Sequence, residues 1–447
     1  MLRERSEGQF ALLRSGQRLT AETSGVDIVV EQHIAGGGQG DVYAVSMGHQ
    51  RYALKWYRSE FVRQDGRLRE RLRRLSRRDP PSPRFLWPID LVTSADHPNT
   101  FGYIMPFRDS RFRDFDGVII GAVTPSWRVV VTAALETVQE YRALHSGGWC
   151  YMDINFGNVA LDPSTGEVRI CDNDNADVND APIDVALGTP QFMAPEIMRG
   201  QARPTIATDL WSLSVLLFYA LFRCHPLLGA REYACPIMDA AAERRLYGTE
   251  PVFIFDPQDA SNRPVDGYHR EAIFYWPIYP SFMREMFVRA FTSGIADPRH
   301  GRVLETEWRT ALVRLRDAIA LCPYCGTENF FDADADEAGT CWAPACRRPM
   351  PRPVCLQVGD DLVVADERVS LYPHHVNPRR RFDFATAVGD CVRHPERPEL
   401  IGLRNGTPSP LKIKLADGRE REVAPNQIVE LQRGMQIDFG SAKAEVV

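Results

Sequence analysis

Lysine is scarce in this 447-residue chain: 49 of its 53 basic residues are arginine, and the four lysines are Lys55, Lys412, Lys414 and Lys443. Arginine serves most surface roles, so one lysine in the first 411 residues marks a place that needs a compact ammonium. Long apolar runs are missing as well. The longest, LSVLLFYALF from Leu213 to Phe222, is too short to span a bilayer and reads as a buried helix. The opening MLRERSEGQF carries charge where a signal peptide has an apolar run, so secretion is not expected and the cytoplasm is. A positive excess is absent too: the net charge is −6, which gives no reason to expect nucleic-acid binding. Without an export signal, the ten cysteines are expected to be reduced, which favours metal binding over disulfides.

The length allows two to four domains. Residues 1–25 are polar and aperiodic and read as an arm or irregular cap. From Val26 to Trp56, three apolar runs separated by Gly-rich or polar turns predict consecutive antiparallel strands. The basic stretch Arg58–Arg78 spaces Leu68, Leu72 and Leu75 as one helical face, and the prolines at 80–83 end it. Longer helices are predicted over 127–145, 207–223 and 303–320. A mostly β part followed by a mostly α part therefore occupies 26–320. A cysteine-rich module follows at 321–352, and a β-rich domain at 353–447.

Between the first predicted strands lies IAGGGQGDV, Ile34–Val42. Gly36, Gly37, Gly38 and Gly40 let backbone approach a ligand and point N–H groups at phosphate oxygens. Lys55 follows on the next strand, in YALKW, where an ammonium reaches such phosphates. Further on, YMDINFGN sets Asp153 and Asn158 five residues apart in a loop, and VRICDNDNA ends a β run at Asp172. GTPQFMAPE (Gly188–Glu196), TDLWSLSVLLF from Thr208, and ADPRHGR ending at Arg302 complete the series.

In this order, these segments resemble the eukaryotic-like protein kinases, and GTPQFMAPE resembles their activation-segment end almost letter for letter. The resemblance implies an α+β, bilobal fold with a β-rich N-lobe and an α-rich C-lobe, and Ser/Thr kinase activity on a protein substrate. It implies ATP held by Ile34, the four loop glycines, Val42, Ala53, Lys55, Met105 and Phe107, and Mg²⁺ or Mn²⁺ held by Asn158 and Asp172. Asp153 would serve the acceptor hydroxyl. Asp209 would tie down the catalytic loop, Glu196 would pair with Arg302, and Thr189 would contact substrate. The family's carboxylate partner for the lysine falls on Glu70, with Glu60 as the alternative.

Several positions depart from the family pattern. Tyr151 and Met152 stand where His and Arg precede the catalytic Asp, and Thr189 is the only hydroxyl residue between Asp172 and Glu196. Activity independent of activation-loop phosphorylation is expected. Asn155 replaces a charge-neutralising lysine, so turnover is expected to be modest. DND (172–174) replaces DFG. Asp174 is either a second metal ligand or a turn residue, and the turn is favoured. These departures also fit a rival reading, a pseudokinase scaffold that binds nucleotide and presents its C-terminal modules.

Cys322, Cys325, Cys341 and Cys346 form C-x2-C-x15-C-x4-C, a spacing that predicts a structural zinc ribbon, with Cys355 as a possible substitute ligand. The acidic 332–337 between the pairs reads as a hairpin tip. Residues 353–447 predict a β-sandwich, and LQRGMQIDFGSAKAEV resembles the last strands of forkhead-associated (FHA) domains. The order of kinase, zinc ribbon and sandwich is similar to bacterial kinases of the tellurite-resistance-associated triads. That resemblance implies a PP2C-like phosphatase and a von Willebrand A protein as partners.

Overall fold

The computed structural model describes residues 12–181, 188–335, 339–397 and 399–447. It forms two compact units, one of residues 1–125, 132–272 and 287–308 and the other of 126–131, 273–286 and 309–447.

The first unit opens with β1 (Arg18–Ala21), β2 (Asp27–Gly36), β3 (Gly40–Met47) and β4 (Gln50–Tyr57), joined by β5 (Asp90–Thr93) and β6 (Gly102–Pro106). These six antiparallel strands close in the order β1-β2-β3-β4-β6-β5. Alternation on the strands sends Leu19, Ile28, Val30, Val45, Leu54, Trp56 and Ile104 into one core. The arm expected over 1–25 is corrected for its second half. Arg18–Ala21 is a strand that joins β2 to β5 and buries Leu19 and Ala21, while Leu13 packs on the same core. Four residues with two buried positions leave too little periodicity to read.

The basic stretch forms two short helices, α1 (Ser59–Gln64) and α2 (Leu68–Ser76), separated around Gly66. The α2 helix buries Leu68, Leu72 and Leu75, and Arg71 with them. The helix Ile206–Phe222 is buried along nearly its whole length. A Thr205–Thr208 capping box starts it, and Arg223 in the left-handed region (φ 57°) ends it.

The second unit does not begin at residue 321, the boundary expected from composition. Trp127 packs edge-on against Tyr275, Tyr279, Phe330 and Trp342 at 5.7–6.2 Å, gathering distant stretches of chain into one cluster. The strands Ile319–Leu321 and Glu328–Phe330 pair beside the cysteine module. Beyond Cys355, a six-stranded and a four-stranded antiparallel sheet share one apolar core that includes Leu356, Val363, Leu403, Ile413, Ile437 and Val446. A groove of about 400 Å³ on the six-stranded sheet is lined by Lys412, Lys414 and Lys443 together with Glu420, Glu422 and Asp438. No helix among the described residues is long and apolar enough to cross a membrane.

Candidate active site

The glycine-rich turn between β2 and β3 needs glycine for a steric reason at Gly40. A Cβ there would lie 2.2 Å from the Trp56 carbonyl oxygen of β4. Gly37 N–H donates to the Gly40 carbonyl at 2.8 Å and closes the turn. Ala53 on β4 faces Met105 on β6, and both are buried. Ile34 and Gly36–Gly38 are exposed, Val42 and Phe107 half-buried, and Arg51 stacks over the Phe107 ring.

Lys55, 5 % exposed, is the centre of the charge network. Its Nζ donates to Asp174 at 2.9 Å and to Gln39 of the glycine turn at 2.8 Å, and it lies 3.6 Å from Asp172. Burial pulls the ammonium pKa down, but Asp172 and Asp174 more than offset it, so the net shift is upward. Asp174 also accepts from the Tyr57 hydroxyl at 2.5 Å and the Tyr103 hydroxyl at 3.2 Å. Burial pushes its carboxyl up, yet Lys55, the Tyr57 hydroxyl and Arg71 hold the net shift below the ordinary value.

This corrects two expectations. Glu70 does not partner Lys55: its side chain is 78 % exposed and its ion-pair partner is Arg74. Glu60 is equally remote, paired with Arg63 at the surface. The face of α2 turned inward carries Arg71, which donates Nε to the Asp174 carbonyl at 2.9 Å and pairs with buried Asp65 at 2.8 Å. Asp174 does lie in a short 3-10 turn, Asn173–Asn175, but its side chain is buried and paired with Lys55. It supplies the carboxylate that the helix does not.

The loop carrying Asp153 is held from below. Asp209, 1 % exposed, accepts from the Tyr151 N–H at 2.5 Å and the Met152 N–H at 3.1 Å, where Met152 takes a positive φ of 68°. His145, which the sequence reading passed over, touches Asp209 at 3.1 Å through Nε2 and Glu305 through Nδ1. Burial lowers its pKa, but the two carboxylates outweigh that and raise it to about 9, so the ring is charged at neutral pH.

Around Asp153 the donors converge on one oxygen. Oδ1 accepts from Asn155 Nδ2, Thr189 N and Thr189 Oγ1, each at 2.9 Å. Among the described residues Oδ2 receives only the 3.3 Å contact from Asn158 Nδ2, whose firmer bond, at 2.9 Å, goes to the Asp153 carbonyl. Burial raises the Asp153 pKa against these hydrogen bonds. Asn155 thus spans Asp153 and Thr189 without bringing a charge.

Asp172 has a left-handed backbone (φ 48°) and a side chain 41 % exposed. With Asn158's amide nitrogen committed to Asp153, the Asn158 oxygen and the Asp172 carboxylate are the hard oxygen donors that suit Mg²⁺. Further along, Arg302 Nη2 meets both oxygens of Glu196 at 2.7 Å, with the Arg302 side chain 3 % exposed.

Residues 112–253 match the family model of the protein kinase domain. The chain carries a protein kinase domain. Its relatives include the serine/threonine-protein kinase RUNKEL of Arabidopsis thaliana, 33 % identical over 104 residues, or 22 % of this chain and 8 % of that protein. The cGMP-dependent protein kinase of Toxoplasma gondii is 29 % identical over 148 residues, covering 31 % and 14 %. The CBL-interacting protein kinase 3 of Oryza sativa subsp. japonica is 23 % identical over 211 residues, covering 42 % and 46 %. The chain spans less than half the length of each of these curated relatives.

Within the kinase domain, part of the segment between Asp172 and Glu196 (182–187) lies outside the described residues, as do 336–337 of the acidic tip in the second unit. In that second unit, the Cys322 and Cys346 sulfurs lie 3.8 Å apart and those of Cys325 and Cys341 3.7 Å apart. A tetrahedral zinc with Zn–S near 2.3 Å spaces its sulfurs by about 3.8 Å, so the four thiols fit that ion. The hydroxyl and N–H of Thr327 bring the Cys325 thiol down to about 6, which favours the thiolate a metal needs. Cys355 belongs to a sheet strand instead.

Proposed function

We propose that the chain is an ATP-dependent protein serine/threonine kinase. The observation that carries this reading is the asymmetric carboxylate of Asp153. Three donors saturate Oδ1, leaving Oδ2 to orient and accept the proton of a substrate hydroxyl. The Lys55 ammonium meets the α- and β-phosphates, exchanging its bond to Gln39 for theirs. Asp172 and Asn158 hold Mg²⁺ or Mn²⁺, which neutralises phosphate charge when bound. The protein's part is positioning and charge placement. Thr189, bonded to Asp153 and the lone hydroxyl residue of its segment, supports activity without activation-loop phosphorylation.

In the same reading, the four-cysteine module is a structural zinc ribbon, and the two-sheet domain is an FHA-like interaction module. The sequence resemblance supports a cytoplasmic bacterial signalling or stress-defence setting, with a PP2C-like phosphatase and a von Willebrand A protein as partners. The test is transfer from [γ-³²P]ATP by wild type and Asp153→Asn. Labelling by wild type alone is expected. Equal background from both would favour the nucleotide-binding scaffold.

A further inference from the structure

Arg71 is a buried cation that the phosphoryl-transfer chemistry does not use. It lies on the inward face of α2, 3 % exposed, among the leucines that dock that helix. Its Nε donates to the Asp174 carbonyl at 2.9 Å and its Nη2 to Asp65 at 2.8 Å, so both edges of the guanidinium are committed. One turn on, Arg74 Nη1 reaches the buried Asp177 carboxylate at 2.8 Å. The helix therefore grips the chain at 174 and 177, just after the metal-ligating Asp172. None of these contacts is to Lys55.

Asp172 sits two residues before the gripped carbonyl, in a left-handed conformation that an aspartate does not adopt by default. Its own carbonyl accepts from the Tyr151 hydroxyl at 3.2 Å and the Asn175 N–H at 3.2 Å. The short turn 172–175 is thus pinned on one side by the loop of Asp153 and on the other by α2. Lys55 is served by the side chain of Asp174, while the helix holds the backbone of the same residue.

We propose that Arg71, with Arg74, is a positioning residue that couples α2 to the metal-holding Asp172 through the backbone of Asp174, the charge order between helix and lysine being reversed. This rests on the kinase reading for the role of Asp172, not on phosphoryl transfer. Loss of the α2 grip should release the Asp172 carboxylate while leaving Lys55 paired. Metal-dependent nucleotide binding then suffers, and metal-free binding does not. Outer partners of metal ligands are typically worth about 10–100-fold in metal affinity.

The test uses the full chain. Mg²⁺ is titrated against ADP binding by calorimetry, for wild type, Arg71→Lys and the double variant Arg71→Met/Asp65→Asn, which avoids an orphaned buried carboxylate. The double variant should need about tenfold more Mg²⁺ for half-maximal ADP binding, while Mg²⁺-free ADP affinity stays within about twofold. Lysine, which cannot serve both partners as a fork, should fall between. Amide hydrogen exchange over 173–178 should rise in the double variant without nucleotide. Equal loss of Mg²⁺-free and Mg²⁺-bound affinity, or an unchanged Mg²⁺ requirement, overturns the proposal. If wild type binds Mg²⁺·ADP but transfers no phosphoryl group, the catalytic reading fails and this one is still decided by the titration.

Discussion

Replacing Asp174 by asparagine keeps the shape and one acceptor oxygen while removing the charge that Lys55 faces. The carboxylate is 2 % exposed and holds Lys55 at 2.9 Å, Tyr57 at 2.5 Å and Tyr103 at 3.2 Å. The next carboxylate, Asp172, is 3.6 Å from Nζ and 41 % exposed; it keeps part of the countercharge but makes no hydrogen bond as short as that of Asp174. Breaking a buried ion pair from one side costs about 3–5 kcal/mol, and the retained oxygen places Asp174→Asn near the lower figure. At about 2–4 °C per kcal/mol for a domain of this size, the nucleotide-free melting temperature should fall by about 6–12 °C. Bound phosphates restore a countercharge to Lys55, so Mg²⁺-free ADP should raise the variant's melting temperature more than wild type's. Glu70→Gln is the control and should stay within about 0.5 kcal/mol, since that side chain is exposed. Differential scanning fluorimetry with and without ADP reads all of this. An Asp174→Asn melt equal to wild type, or an equal drop in Glu70→Gln, would refute the assignment.

Arg302→Met should destabilise the first unit by about 3–5 kcal/mol in urea melts, because it leaves the mostly buried Glu196 carboxylate without the Nη2 group that meets both its oxygens. A loss under about 1 kcal/mol would mean the pair is solvated like a surface bridge. For His145, the folded pKa of about 9 exceeds the ordinary 6.5, so its stabilisation is fully present below pH 6.5 and lost as pH rises through 9. The stability gap between wild type and His145→Gln should therefore be about 3 kcal/mol near pH 6 and close by pH 10. A pH-independent gap counts against a charged ring. Purified protein should hold about one zinc per chain, and chelation or Cys341→Ser should lower the melting temperature of the second unit. Metal-free protein with an unchanged melt would remove zinc from the account.

The kinase domain was legible because its late segments are contiguous strings with fixed chemistry. Gly188–Glu196 and the helix starting at Ile206 announce themselves locally. Asp174 was not legible for the opposite reason. An acid after two turn-forming residues looks like a cap, and its role is set by side chains at 55, 57 and 103 that only folding brings to it. The same holds for His145, which reads as the end of a helix until Asp209 and Glu305 flank it. Glu70 was misplaced because helical periodicity fixes which residues share a face, while the register of that face against β4 comes from packing. Leu68, Leu72 and Leu75 turn Arg71 inward and leave Glu70 outside.

The lysine-lined groove has a practical corollary. Lys55 is buried, so Lys412, Lys414 and Lys443 are the accessible side-chain amines of the whole sequence, and all three lie on one face of a single sheet. Amine-directed coupling, apart from the chain's α-amino group, would tether every molecule by that face in a common orientation. It would leave the buried Lys55 unmodified, and amine cross-links to a bound partner would report contacts of the C-terminal sheet.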